Sequence, residues 1–386
     1  MTLSVAQLEQ QGIALLNANR PYDVEALLRP ALASGTGPLG LWHLLARALR
    51  LQGRINETLA IQEMIVQNLP SDMGMRFDLA ETLLLLGDFT RGWQQYRFRY
   101  EQAHTLSMRR PVQRPRWQGQ PIPGKTLLIH DEQGFGDTFQ FMRMVAWARE
   151  HSGARVVFEV NPQTLALAQR YLGEQDVIAY GEIPPPFDLH CELMNLPLAM
   201  NLQPADLPGS VAYLSADPAR VAKWRARLAD LPRPLVGLVW AGRPTHSNDS
   251  RRSMSLADLA PLAQPGVTFV ALQKGPASAQ ATTPPPGMNL VSLSDEIVDF
   301  EDTAAIMTLL DLTISVDSAP AHLAGALGCP TWVMLAFVPC WRWLLERSDS
   351  PWYPSVRLFR QPGPDQWAPM LADMAEQLRI LAARPV

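Results

Sequence analysis

The chain has 386 residues, 47% of them hydrophobic and 18% charged, with a formal net charge of −4. That balance supports two to three folded domains and excludes a disordered chain; with no basic run and no RNA-type aromatic motif, it also excludes a nucleic-acid binder. The cysteines, Cys191, Cys329 and Cys340, form no C-x-x-C pair, so neither a disulfide framework nor a zinc site is expected, as in a reducing compartment.

The first residues, MTLSVAQLEQQGIALL, lack a basic n-region and read poorly as a signal peptide. No run approaches the roughly 20 apolar residues that a spanning helix needs. These features predict a soluble, cytoplasmic protein without a transmembrane segment.

Residues 1 to 105 show helical periodicity only. Asn19, Gly53 and Gly87 are spaced 34 residues apart, each between two helical patterns: LLNANRPYDVEAL, LRLQGRINETLAI and LLLLGDFTRGWQQY. A helix–turn–helix period of that length marks tetratricopeptide repeats. Trp42, Leu45 and Ala46 occupy the repeat's large and small positions, Pro70 ends the second copy, and Ala80 is the small residue of the third. Such an array predicts protein–protein contacts.

Residues 106 to 124 are rich in Pro, Arg and Gly and read as a linker in which Trp117 packs on a neighbouring domain. Strands and helices then alternate. One α/β lobe is expected over 125–232, with strands at 126–130, 155–160, 176–180 and 187–191 and helices at 138–150, 162–171 and 219–231. A second is expected over 233–363, with strands at 234–242, 267–275, 289–293, 312–316, 331–335 and 356–360. Its helices are placed at 256–262, 300–310 and 321–327. The last helix, within 364–386, is long enough to return to the first lobe. Two α/β lobes with a Pro-marked hinge predict a cleft between them.

Three loops fall at strand carboxyl ends. In Glu132-Gln133-Gly134-Phe135-Gly136-Asp137, Gly134 and Gly136 allow close backbone approach, while Asp137 is either a helix cap or a general base. The loop from Trp240 to Ser253 is rich in hydroxyl, amide and Arg groups, as a phosphate-holding loop is, and equally as a solvated surface loop is. The stretch Leu312–Pro330 reads as strand, turn and helix, with Asp317 or Ser318 as cap and Pro320 in the first turn. It is either a capped turn or a ligand seat at a helix N-terminus. One helix terminus supplies about 0.3–2 kcal/mol, whereas micromolar binding needs about 8 kcal/mol. A diphosphate there needs a cation, for which Arg251, Arg252 and Lys274 are placed at strand ends. Neither a G-x-x-x-x-G-K-[ST] loop nor a G-x-G-x-x-G fingerprint occurs, against ATPases and dinucleotide enzymes.

Taken together, GFGDTFQFMR (134–143), the loop 240–253, FEDTAA (300–305), VDSAPAHLAGALG (316–328) and DSPWYPSVRLFRQ (349–361) resemble bacterial tetratricopeptide-repeat glycosyltransferases. The catalytic part of that family is related to the ADP-heptose heptosyltransferases and has the two-lobed GT-B fold. The resemblance implies an α-helical repeat array followed by a double Rossmann-like catalytic region. It implies sugar transfer from a nucleotide sugar to a protein or glycan hydroxyl, inverting and metal-independent, with no cofactor.

The same resemblance makes Asp137 the base, with Gly134, Gly136, Gln140, Trp341 and Arg342 on the acceptor side of the cleft. Asp317, Ser318, Ala319 and His322 fall at the donor sugar and diphosphate. Arg251 and Arg252 stand near the family's phosphate-binding lysine, which this chain lacks. Gln273 and Lys274 fall near the nucleotide base, and Trp240 opens the donor loop. No D-x-D motif stands where a metal would be needed. The competing expectations are a non-catalytic repeat scaffold on a retained fold and an enzyme of the protein O-GlcNAc transferase kind.

Overall fold

The computed structural model describes residues 3–101, 110, 112–207, 212–246 and 248–383. Residues 106–109 and 111 of the expected linker, Ser247 of the Arg-bearing loop and 384–386 at the end lie outside the described residues. The chain divides into two compact units, one of residues 1–109 with 337–346 and one of 110–336 with 347–386.

Among the described residues the first unit has six α-helices: α1 (Val5–Asn17), α2 (Pro21–Leu28), α3 (Leu39–Leu51), α4 (Ile55–Asn68), α5 (Met73–Leu85) and α6 (Phe89–Tyr96). The odd helices begin at Val5, Leu39 and Met73 and the even ones at Pro21, Ile55 and Phe89, so every pair starts 34 residues after the last. At each turn the marker residue adopts positive φ: 55° at Asn19, 77° at Gly53 and 83° at Gly87. Gly and Asn bear that conformation at least cost, which is why they recur there. Neighbouring pairs share a core in which Leu28, Leu44, Leu45 and Leu49 are buried.

Residues 337–346 belong to this unit. The Phe337 ring lies where a Cβ on Gly53 would come within 2.6 Å of it. Trp341 is 1% exposed and meets Trp93 and Tyr96 edge-on at 5.2 and 5.9 Å.

In the second unit, β1 (Thr126–His130), α7 (Phe135–Phe141), α8 (Arg143–Ser152), β2 (Arg155–Val160), α9 (Leu165–Leu172), β3 (Val177–Ala179), β4 (Leu189–Glu192) and α10 (Leu196–Ala199) form the first lobe. Its parallel sheet runs β3-β2-β1-β4. Trp117 packs on this lobe: its backbone N–H donates to His190 O at 2.7 Å and its ring meets Trp147 at 5.9 Å.

The second lobe follows α11 (Pro218–Leu228). It contains β5 (Leu235–Val239), α12 (Asp249–Arg252), β6 (Thr268–Ala271), β7 (Leu290–Ser292), α13 (Phe300–Met307), β8 (Leu312–Val316), α14 (Ala319–Ala326), β9 (Thr331–Leu335), β10 (Val356–Arg360) and α15 (Trp367–Ala382). Its six strands are parallel, in the order β10-β9-β8-β5-β6-β7. That is the order of doubly wound dinucleotide-type sheets, with the reversal between β5 and β8. β5, β8 and β9 are buried along their whole length, as strands covered on both faces must be.

The segment Leu256–Leu262 is the expected helix, in 3₁₀ form with Pro261 inside it. One expectation changes. The last helix does not return to the first lobe: the stripe Met370, Leu371, Met374 and Leu378 fills the core of the second, beside Leu259, Leu262 and Phe359.

Candidate functional site

In a parallel sheet, ligands meet the chain at strand carboxyl ends where the strand order reverses. In the second lobe that crevice opens between the end of β5, which runs into Trp240, and the end of β8, which runs into Asp317. Arg252 spans it: Nη1 donates to the Asp317 carbonyl at 2.8 Å, and Nε meets Asp249 Oδ1 at 3.2 Å. Gly242 is required beneath it, since a Cβ there would come within 2.6 Å of both Arg252 Nη2 and Asp249 Oδ1. His246 lies in the same loop, and burial with the nearby Arg252 charge lowers its pKa. Arg251 turns to Asn248 Oδ1 at 3.5 Å.

The turn after β8 offers fewer donors than a helix N-terminus usually does. Ser318 occupies the cap position, but its hydroxyl turns back to Val316 O at 3.2 Å and makes no cap bond. Pro320 has no N–H, and Ala321 N donates to Ser318 O at 3.0 Å. Ala319 N is therefore the helix donor facing the crevice, and the Arg252 charge carries more weight beside it. His322 is buried; its Nδ1 lies 3.1 Å from the Tyr353 hydroxyl and its Nε2 3.9 Å from Asp317 Oδ1.

The first lobe brings its Gly-rich loop to this turn. A Cβ on Gly136 would lie 2.9 Å from His322 Cδ2 and 3.3 Å from Ala319 Cα, so only glycine allows the approach. Asp137, the next residue, is half-buried at the third position of α7, and its Oδ2 accepts from Gly134 N at 2.9 Å. Asp131, at the end of β1, accepts from Asn161 N at 2.7 Å, and burial pushes its pKa up to about 6.

Several expected site residues stand elsewhere. Gln273 is a brace: its Oε1 accepts from Trp240 N and Ala241 N at 3.0 and 2.9 Å, and its Nε2 donates to Ala241 O and Lys274 O. Lys274 Nζ caps the carbonyls of Ser294 and Ile297 at 2.6 and 2.8 Å, so its charge is committed away from the β5–β8 crevice. Trp240 is fully buried. Gln140 is fully buried too, with neither amide atom partnered among the described residues. Trp341 and Arg342, expected beside the cleft, belong to the helical unit: Trp341 fills the aromatic pocket of Trp93 and Tyr96, and Arg342 lies over the Trp341 ring at 4.2 Å.

His130, His190 and Glu192 are buried together with ligand-type atoms within 4.8 Å of one another. His130 Nε2 and His190 Nδ1 are 3.3 Å apart, and the ring centroids 5.6 Å. The centroid distance exceeds the N···N distance by two ring radii, so the nitrogens meet head to head, as across a shared proton. Lone pairs aimed at each other do not converge on a common ion. Burial lowers His130 to about 3, which keeps it neutral. Glu192 meanwhile takes Arg116 at 2.9 and 2.5 Å and Asn195 at 2.7 Å. The group is a core hydrogen-bond pair beside an ion pair.

Sequence reasoning did not single out Gly242 or Tyr353. The motif DSPWYP was the signal for Tyr353; Gly242 could have been found as the glycine that ends the β5 run.

No family model matches the chain. It is similar to Protein FlbA of Caulobacter vibrioides, with 31% identity over 338 residues, 81% of this chain and 56% of the relative. The chain thus spans a little over half the length of that curated relative. Among solved structures it is similar to the ADP-heptose LPS heptosyltransferase II of E. coli, with 12% identity, 67% of this chain, 100% of the other and a TM-score of 0.48. It is also similar to a family 9 glycosyl transferase of Veillonella parvula, with 12% identity, 69% and 98% coverage and a TM-score of 0.45. No helix of the described residues is long and apolar enough to cross a membrane.

Proposed function

We propose that the chain is a glycosyltransferase of the two-lobed GT-B kind that moves a sugar from a nucleotide sugar to a hydroxyl acceptor. The observation that carries this reading is the convergence at one turn. The Gly136 backbone of the first lobe abuts Ala319 and His322, and Arg252 is clamped to the Asp317 carbonyl across the strand-order reversal of the second. A Gly-rich acid-bearing loop on one side and a fixed cation with a helix N-terminus on the other suit a diphosphate leaving group and a proton acceptor.

Asp137 is the general base. Its Oδ2 accepts from Gly134 N, which orients the carboxylate at the start of α7. Arg252 and Ala319 N steady the departing diphosphate. The arginine supplies the positive charge in place of a metal, and the acceptor oxygen bonds the anomeric carbon as its bond to the diphosphate breaks, which inverts that carbon. The three helix pairs are tetratricopeptide repeats that contact protein partners, and the protein acts in the cytoplasm.

A nucleotide-sugar hydrolysis and transfer screen tests the reading. The expected result is turnover with at least one donor, lost in Asp137→Asn with the fold intact. Failure to bind any nucleotide sugar would leave the chain as a scaffold.

A further inference from the structure

The motif FEDTAA (300–305) has no part in the proposed reaction, yet its first three residues fix how α13 is held. Asp302 is fully buried within its own lobe. Its Oδ1 accepts from Arg220 Nη1 and Trp224 Nε1 of α11, both at 2.7 Å, and its Oδ2 from Val298 N at 3.0 Å. These bonds tie α13 to α11 and to the loop after β7. Phe300 and Glu301 turn to the first lobe instead. The Phe300 ring meets Phe135 and Phe139 of α7 edge-on, at 5.0 and 4.9 Å. Glu301 Oε1 accepts from Arg170 Nη1 of α9 at 2.8 Å. The same nitrogen donates to Ser215 O at 3.1 Å, in the segment that joins the lobes.

The two halves of this contact differ in kind. The aromatic half gains from burial and edge-to-face packing and carries no charge. The ionic half is incompletely satisfied: Glu301 is buried, and its Oε2 has no hydrogen-bond partner among the described residues. A carboxylate held in this way regains its hydration when the lobes part, so the pair adds little net attraction. Its effect is to cancel a charge that would otherwise oppose closure. Attraction therefore comes from Phe300, and Arg170 makes it possible for Glu301 to be covered.

We propose that Phe300 and Glu301 form a reversible latch between the lobes, with Phe135 and Phe139 as its apolar seat and Arg170 as its ionic catch. Phe135 directly precedes Gly136, so parting Phe300 from α7 withdraws Gly136 from Ala319 and His322. The latch thus decides whether the two sides of the crevice meet, and its release opens the crevice for entry and exit. The latch itself does not depend on the glycosyltransferase reading.

The test measures the distance between the lobes in the full chain by paired spin labels. Gln163→Cys and Ala279→Cys are exposed positions, one in each lobe, and are labelled in a Cys340→Ser background because Cys191 and Cys329 are buried. The wild type shows mainly the short distance. Arg170→Ala leaves the Glu301 charge buried without its partner, so the ratio of long to short distances rises at least about tenfold. Adding Glu301→Gln removes that charge and brings the ratio back to within about threefold of wild type. Phe300→Ala raises the ratio as well, and Glu301→Gln does not reverse that rise. An unchanged distribution in folded Arg170→Ala overturns the latch; a rise that Glu301→Gln fails to reverse overturns the ionic catch.

Stopped-flow release of ADP and UDP reads the consequence for the crevice. Arg170→Ala speeds release of the nucleotide that binds about tenfold, and adding Glu301→Gln restores it. Unchanged release from lobes shown to have parted overturns the link to the crevice. Absence of binding by either nucleotide overturns the proposed function, while the distances still decide the latch.

Discussion

At the scale of single residues, contact and charge decide what each side chain can do. Gly136 is a point of close approach between the lobes. Gly136→Ala puts a methyl group against backbone at Ala319 and the ring of His322. Overpacking of this kind costs about 1–3 kcal/mol. The expected outcome is a lowered melting temperature together with loss of nucleotide-sugar turnover, read by calorimetry and a coupled assay. Retained activity with lowered stability would place the reacting groups away from this contact.

Asp131 makes a second residue-scale prediction. Its folded pKa, about 6, lies above the usual carboxylate value of 3.8 because burial disfavours the charge. The stability it contributes is therefore fully present below the unfolded pKa and lost as pH rises through about 6. Asp131→Asn keeps an acceptor for Asn161 N–H and carries no charge to bury. The variant should gain on the order of 1–3 kcal/mol over wild type at pH 8 and a smaller amount at pH 4.5, measured by urea melts at the two values. An equal gain at both would show that charge burial is not the cause.

At the scale of elements, the sequence was legible where a local signal sufficed. The Leu312–Pro330 stretch folds as a buried strand, turn and helix because a β-branched run, then Ser-Ala-Pro, then Gly328 and Pro330 each act on their own neighbours. The 34-residue period was legible for the same reason: a positive-φ residue must recur at each turn. What was not legible was the partner of an apolar surface. The stripe on α15 fits any sheet face, and only the shape of the core around Leu259 and Phe359 selects the second lobe. FVPCWRW reads as an apolar loop, with nothing local to say that Trp341 inserts beside Trp93. Gln273 and Lys274 stood at a strand end, as ligand residues do, yet they hold backbone carbonyls and amides instead.

The insertion of Trp341 yields a prediction for the helical unit. Trp341→Ala removes a fully buried indole from the Trp93–Tyr96 pocket and should cost about 3–5 kcal/mol of that unit's stability. Limited proteolysis then shows faster cleavage within residues 1–101, with cleavage in the sheets unchanged. Unaltered cleavage would mean that the segment 337–346 lies on the helices without supporting them.

At the scale of the whole molecule, the two parallel sheets share one logic. Each reverses strand order once, and each carries polar loops at strand carboxyl ends. The site is legible from sequence as three loops, and the fold explains why Arg252 rather than Lys274 supplies the cation: α12 aims it across the β5–β8 reversal.

The central claim is that Asp137 and Arg252 serve one reaction from opposite lobes. Steady-state turnover of the donor found by the nucleotide-sugar screen, measured for wild type, Asp137→Asn and Arg252→Ala, tests it most directly. The account predicts that Asp137→Asn lowers kcat by about 10²–10⁴-fold with nucleotide affinity retained, and that Arg252→Ala weakens the nucleoside diphosphate by at least about tenfold. Turnover in Asp137→Asn equal to wild type, with Arg252→Ala binding the diphosphate unchanged, would contradict it.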